Sequence, residues 1–155
     1  MKKLILYFIS LVLVMLVTGV FWGTWFTLTK SIDAFPPDNF IRIGKTIISN
    51  VAVPMSILMP ATLLILLWIC VMSRKTRPSF FFFVCSFLLM VLTTVITVGV
   101  EVPIDNQINT WTAETVPVDW TMIRARWAEY HMIRTFTSIF GFASLTAGIL
   151  LDRAK

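Results

Sequence analysis

The sequence predicts an all-α integral membrane protein, a four-helix bundle with a short amphipathic or lid helix in its outer loops. Three observations carry the prediction. Charged residues make up 14% of the 155-residue chain and hydrophobic ones 57%, whereas a soluble domain is about 25% charged. Four charge-free apolar runs, 4–28, 51–72, 80–100 and 135–151, each approach the ~20 residues that cross a hydrocarbon core of about 30 Å. The polar residues collect between the runs: the stretch 101–134 holds five of the eight acidic residues, three of the six tryptophans and the only histidine. So little chain is left over that residues 1–155 read as a single transmembrane domain with outer loops at 29–50 and 101–134.

The first span follows Met1-Lys2-Lys3 and is too long for the core of a signal peptide, which has about 7–15 apolar residues, so it is expected to be retained. Thr18, Trp22, Trp25 and Thr29 recur at helical spacing along its outer half. Gly19 and Gly23 form a GxxxG that allows close helix approach. In the first outer loop, Pro36-Pro37-Asp38 reads as a turn into a helix with Asp38 as N-cap. Phe40, Ile43 and Ile47 then share one face, with Arg42 and Lys45 off it, the pattern of a short interfacial helix. The second span contains Pro54 and Pro60, which membrane helices tolerate when neighbours satisfy the freed carbonyls. Asn50 at its outer end reads as a cap or a site residue. Cys70 and Cys85 lie within spans and lack CxxC or metal-ligand spacing, so both are expected as buried free thiols.

The third span carries a polar line, Thr93, Thr97 and Glu101, rising to a carboxylate at its outer edge. After Pro103 the pattern changes. Ile104, Ile108 and Trp111 share one helical face while Asp105 and Asn109 share another, which predicts a short lid helix over the mouth of the bundle. Asp119 is placed to cap a helix that starts at Trp120. From there Trp120, Arg124, Trp127, His131, Arg134 and Ser138 are spaced 4, 3, 4, 3, 4 and fall within an arc of about 80°. Arg126 and Glu129 lie off this arc, placed to pair outside. If the stripe faces the bundle it builds a polar pocket walled by aromatics; if it faces water it is a solvated surface. Arg134 and Glu101 top their spans at the same level, and charged groups at membrane depth are usually paired and turned inward, so an ion pair between them is expected.

Lysine and arginine set the orientation. Lys2, Lys3, Arg74, Lys75, Arg77, Arg153 and Lys155 lie in very short segments with Asp152 as the only acid. This predicts both termini and the turn at 73–79 on the cytoplasmic side of a plasma (inner) membrane. The net charge of +5 is accounted for by that bias and gives no nucleic-acid-binding stripe.

These residues also form a pattern. Glu101-Val-Pro-Ile-Asp-Asn-x-Ile-x-x-Trp111, then Pro117-x-x-Trp120, then Arg124-x-Arg126-Trp127-x-x-x-His131-x-x-Arg134 resembles the signature of the anthrone oxygenase-like family of small four-span membrane proteins. The segment Gly19-Val-Phe-Trp-Gly23 and Pro54 fit the resemblance as well. It implies oxidation of an anthrone-like molecule to the quinone without metal or flavin, a reaction that begins by taking a proton from an activated carbon. His131 has the unperturbed pKa of a general base. Arg124 or Arg134, with Glu101 nearby, suits an oxyanion. Trp111, Trp120, Trp127 and Trp22 suit the walls of a flat slot, and Asn106 and Asn109 suit its orientation. One histidine and scattered carboxylates make poor metal-ligand spacing, so no metal and no cofactor are expected. The bilayer and a hydrophobic small molecule are the expected partners, nucleic acid is not, and self-association is compatible with the apolar surface. The alternative is a non-catalytic protein that binds a lipid, a hydrophobic ligand or a membrane partner. A transporter ranks third, because the spans hold few ionisable groups to form a path.

Overall fold

A computed structural model describes residues 2–74 and 77–153. Lys75 and Lys155 of the basic cluster lie outside these residues. Helix α1 runs Lys2–Thr27 and is followed by a 3-10 helix, Thr29–Ala34; α2 runs Pro37–Ser73 and α3 runs Arg77–Ile96. A π-helical turn, Thr97–Glu101, leads into α4, Val102–Thr110, and α5 runs Trp120–Arg153. No strand occurs among the described residues. Four helices are long and apolar enough to cross a membrane, with α3, the π turn and α4 counted as one. The all-α four-helix architecture is therefore as the sequence predicts.

Two expected breaks are absent. The interfacial helix of the first outer loop is the start of α2, a 37-residue helix that runs unbroken through Pro54 and Pro60. Asp38 sits in its first turn and Pro36 is the N-cap. The lid is likewise no lid: α4 continues the third span. Proline at position 103 removes a backbone donor and crowds the carbonyl four residues back. The π turn absorbs both problems just before it, with the Val102 N–H bonding to Thr97 O. At about 1.5 Å per residue, α2 and α5 measure roughly 50–55 Å, so about 20 Å of each reaches beyond a hydrocarbon core.

The four rods form a ring in the order α1, α2, α3, α5. The closest seam is α3 with α5. A Cβ at Gly148 would lie 2.7 Å from the Phe83 ring, and one at Gly141 3.2 Å from Met90 Sδ, so these glycines let the backbones meet. Gly19 and Gly23 meet nothing within 4 Å; their GxxxG serves no contact within the chain, and Trp22 beside it faces outward. Cys70 and Cys85 are free, Cys70 buried and Cys85 half-buried.

Two apolar cores stack along the bundle. The half nearer the termini is filled by residues such as Val14, Leu66, Phe83 and Leu145, all fully buried. The mouth half, nearer the two long connections, packs Ile32, Phe40, Ile41, Ile104, Ile108, Trp111 and Trp127. Between this second core and the first lies the polar cluster.

Candidate functional site

The α5 stripe faces inward. Arg124, Trp127, His131, Arg134 and Ser138 are all buried and Trp120 is half-buried. Its lower part meets the polar line of the third span. The π turn adds width to one turn of that span, and Glu101 at its end is completely buried. The expected ion pair is present: Arg134 Nη2 lies 2.8 Å from Glu101 Oε2.

Every group around Arg134 fixes its guanidinium. Nη2 and Nε donate to His131 Nδ1 at 2.7 and 3.2 Å, Nη1 reaches Thr97 Oγ1 at 3.5 Å, and Cζ lies 4.6 Å from the centre of the Phe21 ring. A guanidinium only donates, so His131 Nδ1 must supply the lone pair. The proton is then on Nε2, which donates to Phe21 O at 3.2 Å. Both imidazole nitrogens are thus engaged. The ring is further clamped by Trp127, stacked at 5.0 Å and 14°. Trp127 Nε1 donates to Asp105 Oδ1 at 3.1 Å. Side chains from the π turn, α4 and α5, with Phe21 of α1, form one connected cluster. Glu101 Oε1 is buried without a hydrogen-bond partner among the described residues. Breaking such a buried pair from one side typically costs about 3–5 kcal/mol, so removing either partner alone is costly.

Beside the cluster is a cavity of about 480 Å³ between α1, α2, the third span and α5. Its polar end is made by Thr97, Asp105, Asn106, His131 and Arg134; Phe21, Phe40 and Trp127 give it aromatic walls; the rest is mostly aliphatic, from residues such as Val51, Met55 and Met59, with the hydroxyls of Thr24, Ser56 and Thr94 among them. A volume of this order suits a small ligand, in an apolar site with a few placed polar groups.

The expected site residues divide. Asn106, Trp127, His131 and Arg134 line the cavity, and Glu101 sits behind Arg134. Five others do not reach it. Arg124 is a tie for the first connection: Nη1 donates to Phe35 O at 3.2 Å, Nη2 pairs with Asp33 at 3.0 Å, and the guanidinium lies 4.7 Å over Trp120. Trp120 itself packs on Phe40, and Trp111 is buried in the mouth core. Asn109 is exposed on the outer face of α4. Trp22 is 40% exposed and joins Trp25 and Phe26 in an aromatic patch on the outside of α1. Arg126, off the stripe, lies over the Tyr130 ring.

Asp105 is the cavity-lining carboxylate that a lid reading hides. The signal was in the sequence: Thr93, Thr97, Glu101 and Asp105 continue one i, i+4 series, and only the assumed break at Pro103 ends it. Among the described residues, no three His, Cys, Asp or Glu side chains gather to hold a metal ion.

Comparison with known proteins gives one result. A family model described as Anthrone oxygenase matches residues 46–144, more than half of the chain, from the start of the second span through the Arg134 cluster. The Gly19–Gly23 segment and Trp22 fall outside that match. No curated protein and no solved structure matches the chain.

Proposed function

The chain belongs to the anthrone oxygenase family, and on that premise we propose that the cavity binds a flat lipophilic molecule with an acidic methylene conjugated to a carbonyl, and oxidises that methylene with dioxygen without a metal or flavin. The observation that carries the proposal is the pairing of groups in the cavity wall: one carboxylate, Asp105, and one guanidinium, Arg134, among its described lining residues.

The Asp105 carboxylate takes the methylene proton, and the electron pair stays on carbon as an enolate. The enolate oxygen rests on Arg134, whose position is set in advance by Glu101, His131 and Phe21, so stabilisation needs no reorganisation. Dioxygen takes up the carbanion pair and a C–O bond forms. The proton returns from Asp105 to give the hydroperoxide, which breaks its O–O bond, loses the second methylene hydrogen and leaves a carbonyl and one water. His131 acts through Arg134, since neither ring nitrogen is free to accept a proton from substrate. Glu101 acts likewise. Arg124 belongs to the packing of the mouth.

Purified protein supplied with a panel of anthrones and hydroquinones is expected to consume oxygen, and Asp105→Asn to lose about 100-fold or more, the scale of a general base. The amide oxygen retains an acceptor for Trp127. Asn109→Ala, on the outer face, leaves the rate unchanged. No uptake above buffer for any substrate sinks the enzyme reading, and saturable ligand binding without turnover replaces it with a non-catalytic binding protein.

The basic cluster near the termini supports a plasma-membrane orientation with both termini cytoplasmic. Single cysteines at Thr115 and Arg74 are expected to react with impermeant reagent from opposite sides; same-side labelling reverses that orientation.

A further inference from the structure

The cavity has a packed roof. Phe40, Ile108 and Trp127 line it from above and are themselves buried in the mouth core with Trp111 and Ile104. A Cβ at Gly44 would lie 3.3 Å from Ile108 Cγ2, so α2 and α4 close on each other there. The side of the cavity is different. Ala52, Ser56 and Pro60 on α2 line it and are exposed at the surface. So are Val98, Val102 and Asn106 across the seam. Each trio is spaced 4, 4, a single stripe along one helix face. The two stripes form the lips of a slit running about 12 Å along the axis.

The surface around the slit is hydrocarbon. Val53 is 68% exposed, Ile57 65% and Val95 60%, and all belong to helices long and apolar enough to cross a membrane. A second, shallower groove continues from it along the α2–α3 seam, lined by Leu63, Val91, Thr94, Val95, Val98 and Gly99. Thr94 and Val98 line both. Its one hydroxyl, on Thr94, is spent on the Met90 carbonyl of its own helix. The cavity thus has a polar inner end at Arg134 and Asp105, a lateral opening, and an apolar trough leading away from the opening toward the half that holds the termini.

We propose that the slit between α2 and the third span admits an amphiphile from the bilayer. Its flat, enolisable head enters the cavity, and its alkyl or isoprenoid tail stays in the Leu63–Gly99 groove. The head's identity rests on the function proposed above; the route and the tail do not. Laid along the seam, the molecule keeps its tail in hydrocarbon throughout and brings only the head past the Ser56 and Val98 lips.

Two measurements separate the route from the chemistry. In protein whose two native cysteines are replaced by alanine, a cysteine in place of Met55, which lines the cavity and is 8% exposed, reports access without any turnover. In bilayer nanodiscs a dodecyl maleimide is expected to label it at least tenfold faster than a sulfonated water-soluble maleimide. Val98→Trp at the lip is expected to slow the dodecyl reagent about tenfold. Faster labelling by the water-soluble reagent, labelling by neither, or indifference to Val98→Trp overturns the lateral route. The second measurement compares an anthrone carrying a ten-carbon chain with its chain-free parent. The chain is expected to lower KM at least tenfold, and Val95→Trp, which fills the groove outside the cavity, to abolish that advantage while leaving the parent's kinetics as they were. An advantage that survives Val95→Trp overturns the tail site. If no anthrone turns over, the function fails, and the maleimide result still decides the route.

Discussion

In the half of the bundle nearer the termini, α3 and α5 touch so closely that a methyl group on Gly148 would overlap Phe83. In the mouth half, below the Gly44–Ile108 contact, α2 stands away from the third span and a cavity of about 480 Å³ is left among α1, α2, the third span and α5. Along its axis, from Val14 to Leu145, the first half buries apolar side chains and small hydroxyls, with the Tyr7 phenol at its end. The second buries a carboxylate, a guanidinium and an imidazole in mutual contact. The same four helices build both halves, so the difference lies in the side chains they carry. Glycine and aliphatic residues allow one half to close to interior packing density. In the other, charges that cannot be left in hydrocarbon unpaired hold each other against three segments, the π turn, α4 and α5, and α2 has no polar group committed to them. The cavity is where α2 fails to follow.

The largest effect expected from that contrast is at Glu101. Glu101→Ala leaves Arg134 buried without its counter-charge, at a cost of about 3–5 kcal/mol, read as equilibrium unfolding in mixed detergent. Replacing both partners together, Glu101→Leu with Arg134→Met, is expected to recover most of the loss, because an apolar pair of similar volume needs no desolvation. A double-mutant cycle without coupling would show that the two halves are held alike and that the charges are incidental.

A middle-sized effect belongs to the half nearer the termini. Gly148→Ala overfills the α3–α5 seam against Phe83, and overpacking costs about 1–3 kcal/mol. Gly19→Ala, with open space around it, should instead be neutral or stabilising by up to about 1 kcal/mol through helix propensity. Equal melting shifts for the two variants would mean that α3 and α5 are not in close contact there.

The same contrast explains what could be read from the chain. The spans were legible because apolar run length is a bulk property, and the inward α5 stripe because its polar residues keep one helical phase over 19 positions. The fate of individual stripe members was not. Arg124 and Arg134 share a face and a residue type, yet one ties down Phe35 and Asp33 and the other sits in the cavity wall. Height along the bundle separates them, and height depends on how far the helices run past the membrane. Pro103 misled in the same way: a proline reads as a break, and the π turn that absorbs it depends on the helix packed behind. The α2 wall of the cavity was invisible, since its aliphatic residues, such as Val51, Met55 and Met59, carry no chemical signal.

The smallest effect is expected at the far end of the bundle, where a second ion pair offers an internal control. Lys3 Nζ lies 2.6 Å from Asp152 Oδ2, and Tyr7 Oη donates to the same oxygen at 2.9 Å. Distance alone would rank this pair with Glu101–Arg134. Exposure of the cation does not: the Lys3 side chain is 43% exposed and the Arg134 side chain 9%, while the carboxylates, Asp152 at 7% and Glu101 at 0%, are both buried. Water competes for the lysine and salt screens it, so Lys3→Ala should cost only about 0.2–1 kcal/mol. That loss should shrink further in 0.5 M salt, because the Debye length there falls to a few ångströms. Asp152 keeps the Tyr7 hydrogen bond in the variant and is not left as a bare buried charge. A loss near that of Glu101→Ala, insensitive to salt, would mean that burial is not what separates the two ends. The cost of breaking the Glu101–Arg134 pair would then owe nothing to its burial.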